Sequence, residues 1–227
     1  MPGMRHALLC LVLTLVGVGA GQTVYAQDPP PKIGPFVVDL RGVAPTFGDN
    51  AQLALSRGLS QAEMPGLGLG VTAGAHVYLP KVLGIVLGLG GEAIIARSGS
   101  EPPGPITNPT TGVTTVSTLR PVTETFRSIS PQISLNFGSG NGWSYLSLGM
   151  GRSQWSIGPE GAIPLPVDEE VFSTFNYGGG ARWFMKKHLA FTFDVRFYEI
   201  DNSTPVPGLP GSPHTLLLII GAGISVR

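Results

Sequence analysis

Eight segments of the chain alternate, residue by residue, between apolar side chains and small or polar ones. A period of two is that of a β-strand, in which successive side chains point to opposite faces. The segments are longer than the roughly five to six residues of most soluble strands. They match the roughly 9–11 residues with which a tilted strand crosses a bilayer. They span residues 35–46, 66–79, 82–97, 125–138, 142–157, 171–185, 189–200 and 214–227.

The connections between these segments alternate between short and long. Three are tight turns and four are long: 80–81, 139–141 and 186–188, against 48–65, 98–124, 158–170 and 201–213. This alternation is typical of an up-and-down barrel of the bacterial outer membrane, which has short periplasmic turns and long extracellular loops. The sequence therefore predicts an all-β fold, an eight-stranded antiparallel transmembrane β-barrel, over residues 35–227.

Each segment has one apolar face and one face of small or polar residues. In GLGLGVTAGAHVYL, residues 66–79, leucine, valine and alanine alternate with glycine, Thr72, His76 and Tyr78. A G-x-G-x-x-A nucleotide loop would lead into a helix, whereas this alternation continues straight to Pro80. The interior of an eight-stranded barrel is only just wide enough for its side chains, so we expect the small residues inside and the aliphatic ones outside. A soluble secreted ligand-binding barrel, with the faces reversed, is the alternative.

Six charged residues fall on the small or polar face of the strands. Charges in a narrow lumen are tolerated when they are paired and hydrogen-bonded. Three acids and three bases therefore predict a structural charge network in the lumen. The alternatives are a salt-bridge plug or gate in the lumen, or solvated outward charges on a soluble sandwich. The six are Asp39, Arg41, Glu92, Arg182, Asp194 and Arg196.

Two other arginines, Arg127 and Arg152, fall on the apolar face near the long loops. They could pair with phosphates of lipopolysaccharide. The alternative is that their side chains only extend to the membrane interface.

Composition argues against several classes of function. Charged residues are 12% of the chain and the formal net charge is zero, so no nucleic-acid-binding surface is expected. Cys10, the only cysteine, lies in the N-terminal apolar segment, which leaves the exported chain without disulfides or Cys-ligated metal. Beyond the N-terminal segment the histidines, His76, His188 and His214, are scattered along the sequence, and no G-x-S-x-G is present. We therefore expect no catalytic residues, no metal site and no cofactor.

The first 26 residues have the form of a secretory signal. A short basic region ends at Arg5, an apolar stretch covers residues 7–19, and a small-x-small cleavage site ends at Ala26. We expect residues 1–26 to be removed on export. Residues 27–34, which contain QDPPPK, are expected to form a mobile lead before the barrel domain. A membrane anchor or a buried first helix is the alternative for the N-terminal segment.

Two local features add expectations about the strands. Aromatic residues gather near both ends of the segments, as in interfacial girdles, and those near the long loops include Phe126, Trp155, Phe172 and Tyr198. Parity places several of the aromatics, including Tyr78, Tyr145 and Tyr198, on the inner face. Pro131 lies inside the fourth segment and cannot donate a ladder hydrogen bond. A bulge there, or a strand that begins later, is expected.

The chain resembles the outer-membrane protein A-like superfamily of small barrels from Gram-negative bacteria, over about residues 34–227. The resemblance rests on the signal, the eight amphipathic strands, the loop asymmetry and glycine-rich strands such as GLGLGVTAGAHVYL and NYGGGARWFM. It implies a monomeric outer-membrane protein in contact with membrane lipid and lipopolysaccharide, inserted by the barrel assembly machinery. The chain departs from the family at GISVR, where the last strand usually ends in an aromatic residue.

The expected function is a non-enzymatic structural or surface-interaction role in the bacterial outer membrane. Residues 98–124 and 201–213 are the expected contact loops. A narrow pore for small solutes is the alternative function.

Overall fold

A computed structural model describes residues 33–138 and 141–227. The predicted signal at 1–26, residues 27–32 of the predicted lead and residues 139–140 lie outside the described residues. The described chain is dominated by strands: β1 Phe36–Thr46, β2 Leu69–Tyr78, β3 Ile85–Ser100, β4 Ile106–Thr107, β5 Thr114–Thr115, β6 Val122–Gly138, β7 Gly142–Pro159, β8 Phe172–Phe184, β9 Leu189–Ile200 and β10 Thr215–Val226. Its helical segments are short: α1 Ala51–Ser56, a 3-10 turn at Gln61–Glu63, and α2 Pro166–Glu169.

Eight of these strands close into a barrel in the order β1-β10-β9-β8-β7-β6-β3-β2. Every neighbouring pair is antiparallel. The first and last strands complete the ring, with Val38 opposite Val226 and Thr46 opposite Leu218. The prediction of an all-β, eight-stranded antiparallel barrel is confirmed, because each predicted segment became one barrel strand.

The two faces of the strands differ sharply in exposure. On β7, Tyr145 is 3% exposed and the adjacent Leu146 is 57% exposed. On β2, Thr72 and His76 are buried whereas Leu69 is exposed. The polar face therefore lines the lumen and the apolar face forms the outer wall, as predicted. A soluble barrel would have the opposite arrangement.

Inward-facing glycines leave room where side chains from neighbouring strands meet. A Cβ added at Gly149 would lie 2.8 Å from Nδ2 of Asn176, and one added at Gly180 would lie 2.6 Å from Oη of Tyr145. Both distances are too short for a carbon atom. The predicted preference for small residues on the inner face thus follows from crowding in the lumen.

The expectation of a bulge or a late strand start at Pro131 was wrong. β6 runs through Pro131 from Val122 to Gly138. On its β7 side, Ile129 lies opposite Arg152 and Gln132 opposite Gly149, so three steps along one strand match three along the other. Pairing with β3 continues through Pro131, which lies opposite Gly91. The missing N–H is accommodated without inserting a residue, because the partner strands keep the register on both sides.

The connections lie at opposite ends of the barrel, here called the turn end and the loop end. The loop end carries L1 (residues 47–68), L2 (101–121), L3 (160–171) and L4 (201–214). L1 contains α1 and the 3-10 turn, L2 contains the β4–β5 hairpin, and L3 contains α2.

Within the described residues, no helix is long and apolar enough to cross a membrane.

Candidate functional site

All six charged residues predicted to face the lumen lie together in its interior. Asp39 and Arg41 are two residues apart on β1, and Asp194 and Arg196 are two apart on β9, so each pair points inward. The other two come from β3 and β8. Each of the six is at most 5% exposed, so water does not screen their charges.

Asp39 and Arg182 form a two-point ion pair. Nε of Arg182 lies 3.0 Å from Oδ1 of Asp39, and Nη2 lies 2.6 Å from Oδ2. The hydroxyl of Ser225 also donates to Oδ1 of Asp39. Such a paired, charge-assisted arrangement is among the strong hydrogen-bonding geometries in proteins. It joins β1 to β8 through the lumen.

The other four charges form a ring of alternating sign. Arg41 contacts both Glu92 and Asp194, with 3.2 Å between its Nη1 and Oδ2 of Asp194. Arg196 contacts the same two acids, at 3.4 Å from Glu92 and 3.2 Å from Asp194. Because β3 and β9 lie opposite each other in the strand order, the Glu92–Arg196 contact crosses the lumen.

Neutral residues that sequence reasoning missed complete this network. Tyr145 donates to Oδ2 of Asp194 at 2.7 Å and accepts from Nη1 of Arg41 at 3.1 Å. Its ring also lies 4.2 Å from the guanidinium carbon of Arg182. Tyr145 therefore links the ion pair to the ring of four charges. Inward parity on β7 was the sequence signal that placed it on the charged face.

Further side chains hydrogen-bond to the acids and arginines of the ring. Tyr198 donates to Oε1 of Glu92 at 2.8 Å. Arg196 donates to Oγ of Ser147 at 2.7 Å and to Oδ1 of Asn176 at 2.9 Å. Buried charges are stable only when such contacts replace water. The lumen is thus crossed by a hydrogen-bonded layer with no net charge.

On the loop-end side of the charge network, most inward side chains are apolar, and the buried carboxyl of Glu124 lies among them. The rings of Phe126 and Tyr198 meet edge to face with centroids 5.5 Å apart, and Trp155 stacks on Phe47 with centroids 6.4 Å apart. The members of this layer, here called the apolar plug, are Val43, Phe47, Ile94, Ala96, Val122, Phe126, Trp155, Ile157, Phe172, Tyr198, Ile200, Leu217 and Ile219.

The expected girdle near the long loops was therefore wrong for Phe126, Trp155 and Phe172, whereas parity had already placed Tyr198 on the inner face. Phe126, Trp155, Phe172 and Tyr198 are each at most 3% exposed and face inward. Nearness to the strand end suggested the interface, but parity decides which face a side chain occupies. These residues fill the mouth of the barrel.

Loop L1 folds over the apolar plug and closes it. Asn50 begins α1, and its side chain accepts a hydrogen bond from the backbone N–H of Gln52 at 2.8 Å. From α1 Leu53 and Ala54 are buried, and Leu59 and Met64 follow them into the same cluster. L1 is thus a lid whose underside extends the plug. Sequence reasoning treated it only as a loop.

Polar contacts tie the lid to the other loops. Ser56 of L1 lies 3.1 Å from Ser212 of L4, hydroxyl to hydroxyl. Arg57 donates to the backbone oxygen of Trp155 at 3.1 Å and lies 3.7 Å from Asp168 of L3. Asp168 also accepts from the backbone N–H of Ile157 at 3.0 Å. These contacts hold the lid to L4, β7 and L3.

Glu63 and Arg120 form the contact between L1 and L2. Nε of Arg120 lies 2.8 Å from Oε1 of Glu63, and the backbone N–H of Ser60 donates to Oε2 at 2.8 Å. These hydrogen bonds hold the pKa of the Glu63 carboxyl well below its usual range. The side chain of Arg120 is 49% exposed, so we expect the pair to contribute about 1 kcal/mol or less.

Acidification is expected to loosen this contact. A carboxyl whose pKa is lowered by folding stabilises the fold above its unfolded pKa of about 4.3, and that contribution is lost as the pH falls towards the folded pKa. Glu63→Gln should therefore speed hydrogen exchange in L1 and L2 at pH 7, and the difference from the native chain should shrink progressively as the pH falls below about 4. Glu101→Gln, at an exposed acid of L2, is the matched control. Equal exchange in Glu63→Gln and native protein at pH 7 would show that the contact does not hold the lid.

The three histidines among the described residues lie apart from one another. His76 is buried in the lumen and stacks on Tyr78 with ring centroids 6.5 Å apart. His188 is exposed at the turn end, where Nδ1 lies 3.0 Å from the backbone oxygen of Arg227. His214 precedes β10 at the loop end. Within the part of the chain that the structure describes, no three His, Cys, Asp or Glu residues are grouped to hold a metal ion.

Arg127 and Arg152 are exposed on the outer wall near the loop end. They take no part in the lumen network.

Comparisons with known proteins bear on the fold. No protein-family model matches the chain, and no curated protein matches its sequence. Among solved structures, the chain is similar to the crystal structure of Neisserial surface protein A, with a TM-score of 0.51 and 10% sequence identity. The alignment covers 86% of this chain and 97% of that one. At this identity the likeness is one of fold.

Proposed function

We propose that the chain is an integral outer-membrane barrel that is sealed to solutes and displays its loops at the cell surface. In this orientation the turn end faces the periplasm and the loop end faces outward. The observation that carries the proposal is the combination of an apolar outer wall with a lumen closed by two layers.

The outer wall supports the membrane location. Leu40 on β1, Leu69 on β2 and Leu148 on β7 are 56%, 74% and 56% exposed. Such a continuous apolar surface is far larger than soluble monomers expose. β1 and β2 have 11 and 10 residues, which matches the roughly 9–11 residues of a membrane-spanning strand. Lipid is the environment in which this surface is stable.

The sealed lumen favours a structural role over the narrow pore. A solute would have to pass the hydrogen-bonded charge network and then the apolar plug with its lid. Neither layer offers a continuous polar path, because the charges of the network are paired and Glu124, whose carboxyl is buried in the plug, accepts a hydrogen bond from Trp155. A non-enzymatic role fits the same interior, since the network residues bind each other.

The loops differ in how well they suit contact with a partner. L2 projects the β4–β5 hairpin, in which Ile106 and Val113 are 67% and 61% exposed. In L4, Ser203 and Ser212 are buried and hydrogen-bonded to each other. We therefore infer that residues 101–121, more than 201–214, provide the contact surface.

Membrane fractionation and a denaturing gel test the proposal. We expect the exported protein in the outer-membrane fraction, migrating faster before boiling than after it because the folded barrel stays compact. In planar bilayers we expect no stepwise conductance. A soluble periplasmic protein without a gel shift would contradict the membrane location. Discrete channel openings by the native chain would instead contradict the sealed lumen and favour the pore.

A further inference from the structure

We propose that the outer wall of β3, β6 and β7 carries a binding site for the phosphate groups of lipopolysaccharide, formed by Arg97, Arg127 and Arg152. The proposal rests on the proposed function, because it requires the loop end of the barrel to face the outer leaflet. It adds a ligand and a defined site to that function.

The three arginines form a diagonal row across adjacent strands. All three are exposed on the outer face. Arg127 of β6 lies opposite Ile95, two residues from Arg97 on β3. It also lies opposite Gln154, two residues from Arg152 on β7. Diagonal neighbours of this kind are about 7–8 Å apart, a spacing that long arginine side chains can bridge to share phosphate groups.

The row lies at the upper margin of the apolar belt. Counted from the turn end, Arg97 is twelve residues beyond Ile85, Arg127 eleven beyond Gly138, and Arg152 ten beyond Gly142. About 9–11 residues of a tilted strand cross a bilayer. The guanidinium groups therefore lie where the lipid headgroups of the loop-end leaflet begin.

The charges of this row are not neutralised by the protein. Arg97 donates to Oγ1 of Thr123 at 3.3 Å. Among the described residues, none of the three forms an ion pair with an acid, whereas Arg57 and Arg120 both do. Glu160 and Glu169 line the clefts next to the row without pairing with it. Three neighbouring cations with free donors fit a multiply phosphorylated headgroup.

The residues around the row match the other parts of such a lipid. Towards the loops, hydroxyl and amide groups line two clefts of about 420 and 300 Å³ under L3; they belong to Thr123, Thr125, Gln154 and Ser156. Towards the turn end, Ile129 and Met150 are 66% and 69% exposed. Polar donors can bind sugar and phosphate groups, and the apolar wall below can pack against acyl chains.

The patch is also one-sided. Within the described residues, the outward faces of β1, β2, β8, β9 and β10 carry no lysine or arginine. A generally cationic rim would distribute such residues around the barrel. Their restriction to three neighbouring strands of the barrel, β3, β6 and β7, indicates a local site.

The test measures binding of purified lipopolysaccharide to the full-length exported chain refolded in detergent micelles, by native mass spectrometry. The triple variant Arg97→Gln, Arg127→Gln, Arg152→Gln should bind on the order of tenfold more weakly than the native protein. The matched control, Lys81→Gln, Lys186→Gln, Lys187→Gln, loses the same charge at the turn end and should bind as the native protein does. Lipopolysaccharide stripped of its phosphates should no longer distinguish the native protein from the arginine variant.

Several results would overturn the site. Equal weakening in the two triple variants would mean that net charge, not this row, determines binding. Phosphatidylglycerol that competes as well as lipopolysaccharide would mean that any anionic lipid is accepted. The gel shift on boiling verifies that each variant is folded. If the expected binding pattern holds but the native protein is absent from the outer-membrane fraction, the site stands and the proposed function fails.

Discussion

Replacing Arg182 with glutamine is expected to destabilise the barrel by about 3–5 kcal/mol. The substitution removes the cation from Asp39, whose carboxylate is 1% exposed and would remain buried with the Ser225 hydroxyl as its hydrogen-bond donor. Breaking a buried ion pair costs about this much, because an uncompensated charge is left in a medium of low polarity. Urea titration of protein folded in detergent micelles measures the change as a lower unfolding midpoint.

A double-mutant cycle separates the pair from its surroundings. Asp39→Asn together with Arg182→Gln leaves no charge behind, so we expect the double variant to be more stable than Arg182→Gln alone by about 2 kcal/mol. Arg152→Gln is the control, since it removes an exposed arginine from the outer wall and should change stability by no more than about 0.5 kcal/mol. Additive effects of the two single changes would contradict a coupled pair.

The sequence was sufficient for the barrel because its signal is repeated in every strand. Alternation decided which residues share a face, and the small residues on the polar face indicated that this face is the inner one. Asp39, Arg41, Asp194 and Arg196 could therefore be placed in the lumen. The alternation of short and long connections then implied neighbouring antiparallel strands, and hence the closed ring.

The pairing inside the lumen could not be predicted in the same way. Asp39 meets Arg182, which lies 143 residues away in the chain, and the stagger between strands decides which inward residues reach the same height. Parity indicates the face on which a side chain lies, but not its position along the barrel axis. For the same reason Tyr145 and Tyr198 could not be recognised as partners of the charges, although both are on the inner face.

The loop end is closed by contacts of loop residues, and the sequence of such a loop shows no periodic pattern. Leu53 and Met64 are buried by strands and loops distant in sequence, so no local pattern in L1 indicates a lid. Trp155 shows a different limit, which is that nearness to a strand end does not tell which face a side chain occupies. Its position near a loop suggested a membrane interface, whereas its inward parity places it in the plug.

Replacing Trp155 with alanine is expected to cost about 3–5 kcal/mol of stability, because it removes a large buried ring from the plug. Trp155 is 2% exposed, stacks on Phe47, and donates from Nε1 to Oε1 of Glu124 at 2.6 Å. Trp155→Phe keeps most of the ring volume and loses the donor to the buried Glu124. It should therefore cost less, about 1–3 kcal/mol. Urea titration in micelles measures both changes.

Planar-bilayer recordings on Trp155→Ala then test how the two layers divide the sealing of the lumen. We expect no stepwise conductance, because the Glu92–Arg196 contact and the other ion pairs of the charge network lie below the plug and do not depend on the indole. Channel openings in Trp155→Ala, with none in Trp155→Phe, would show that the apolar plug alone seals the barrel. The charge network would then contribute to stability only. Ions would permeate the layer of hydrogen-bonded charges once the indole ring is removed.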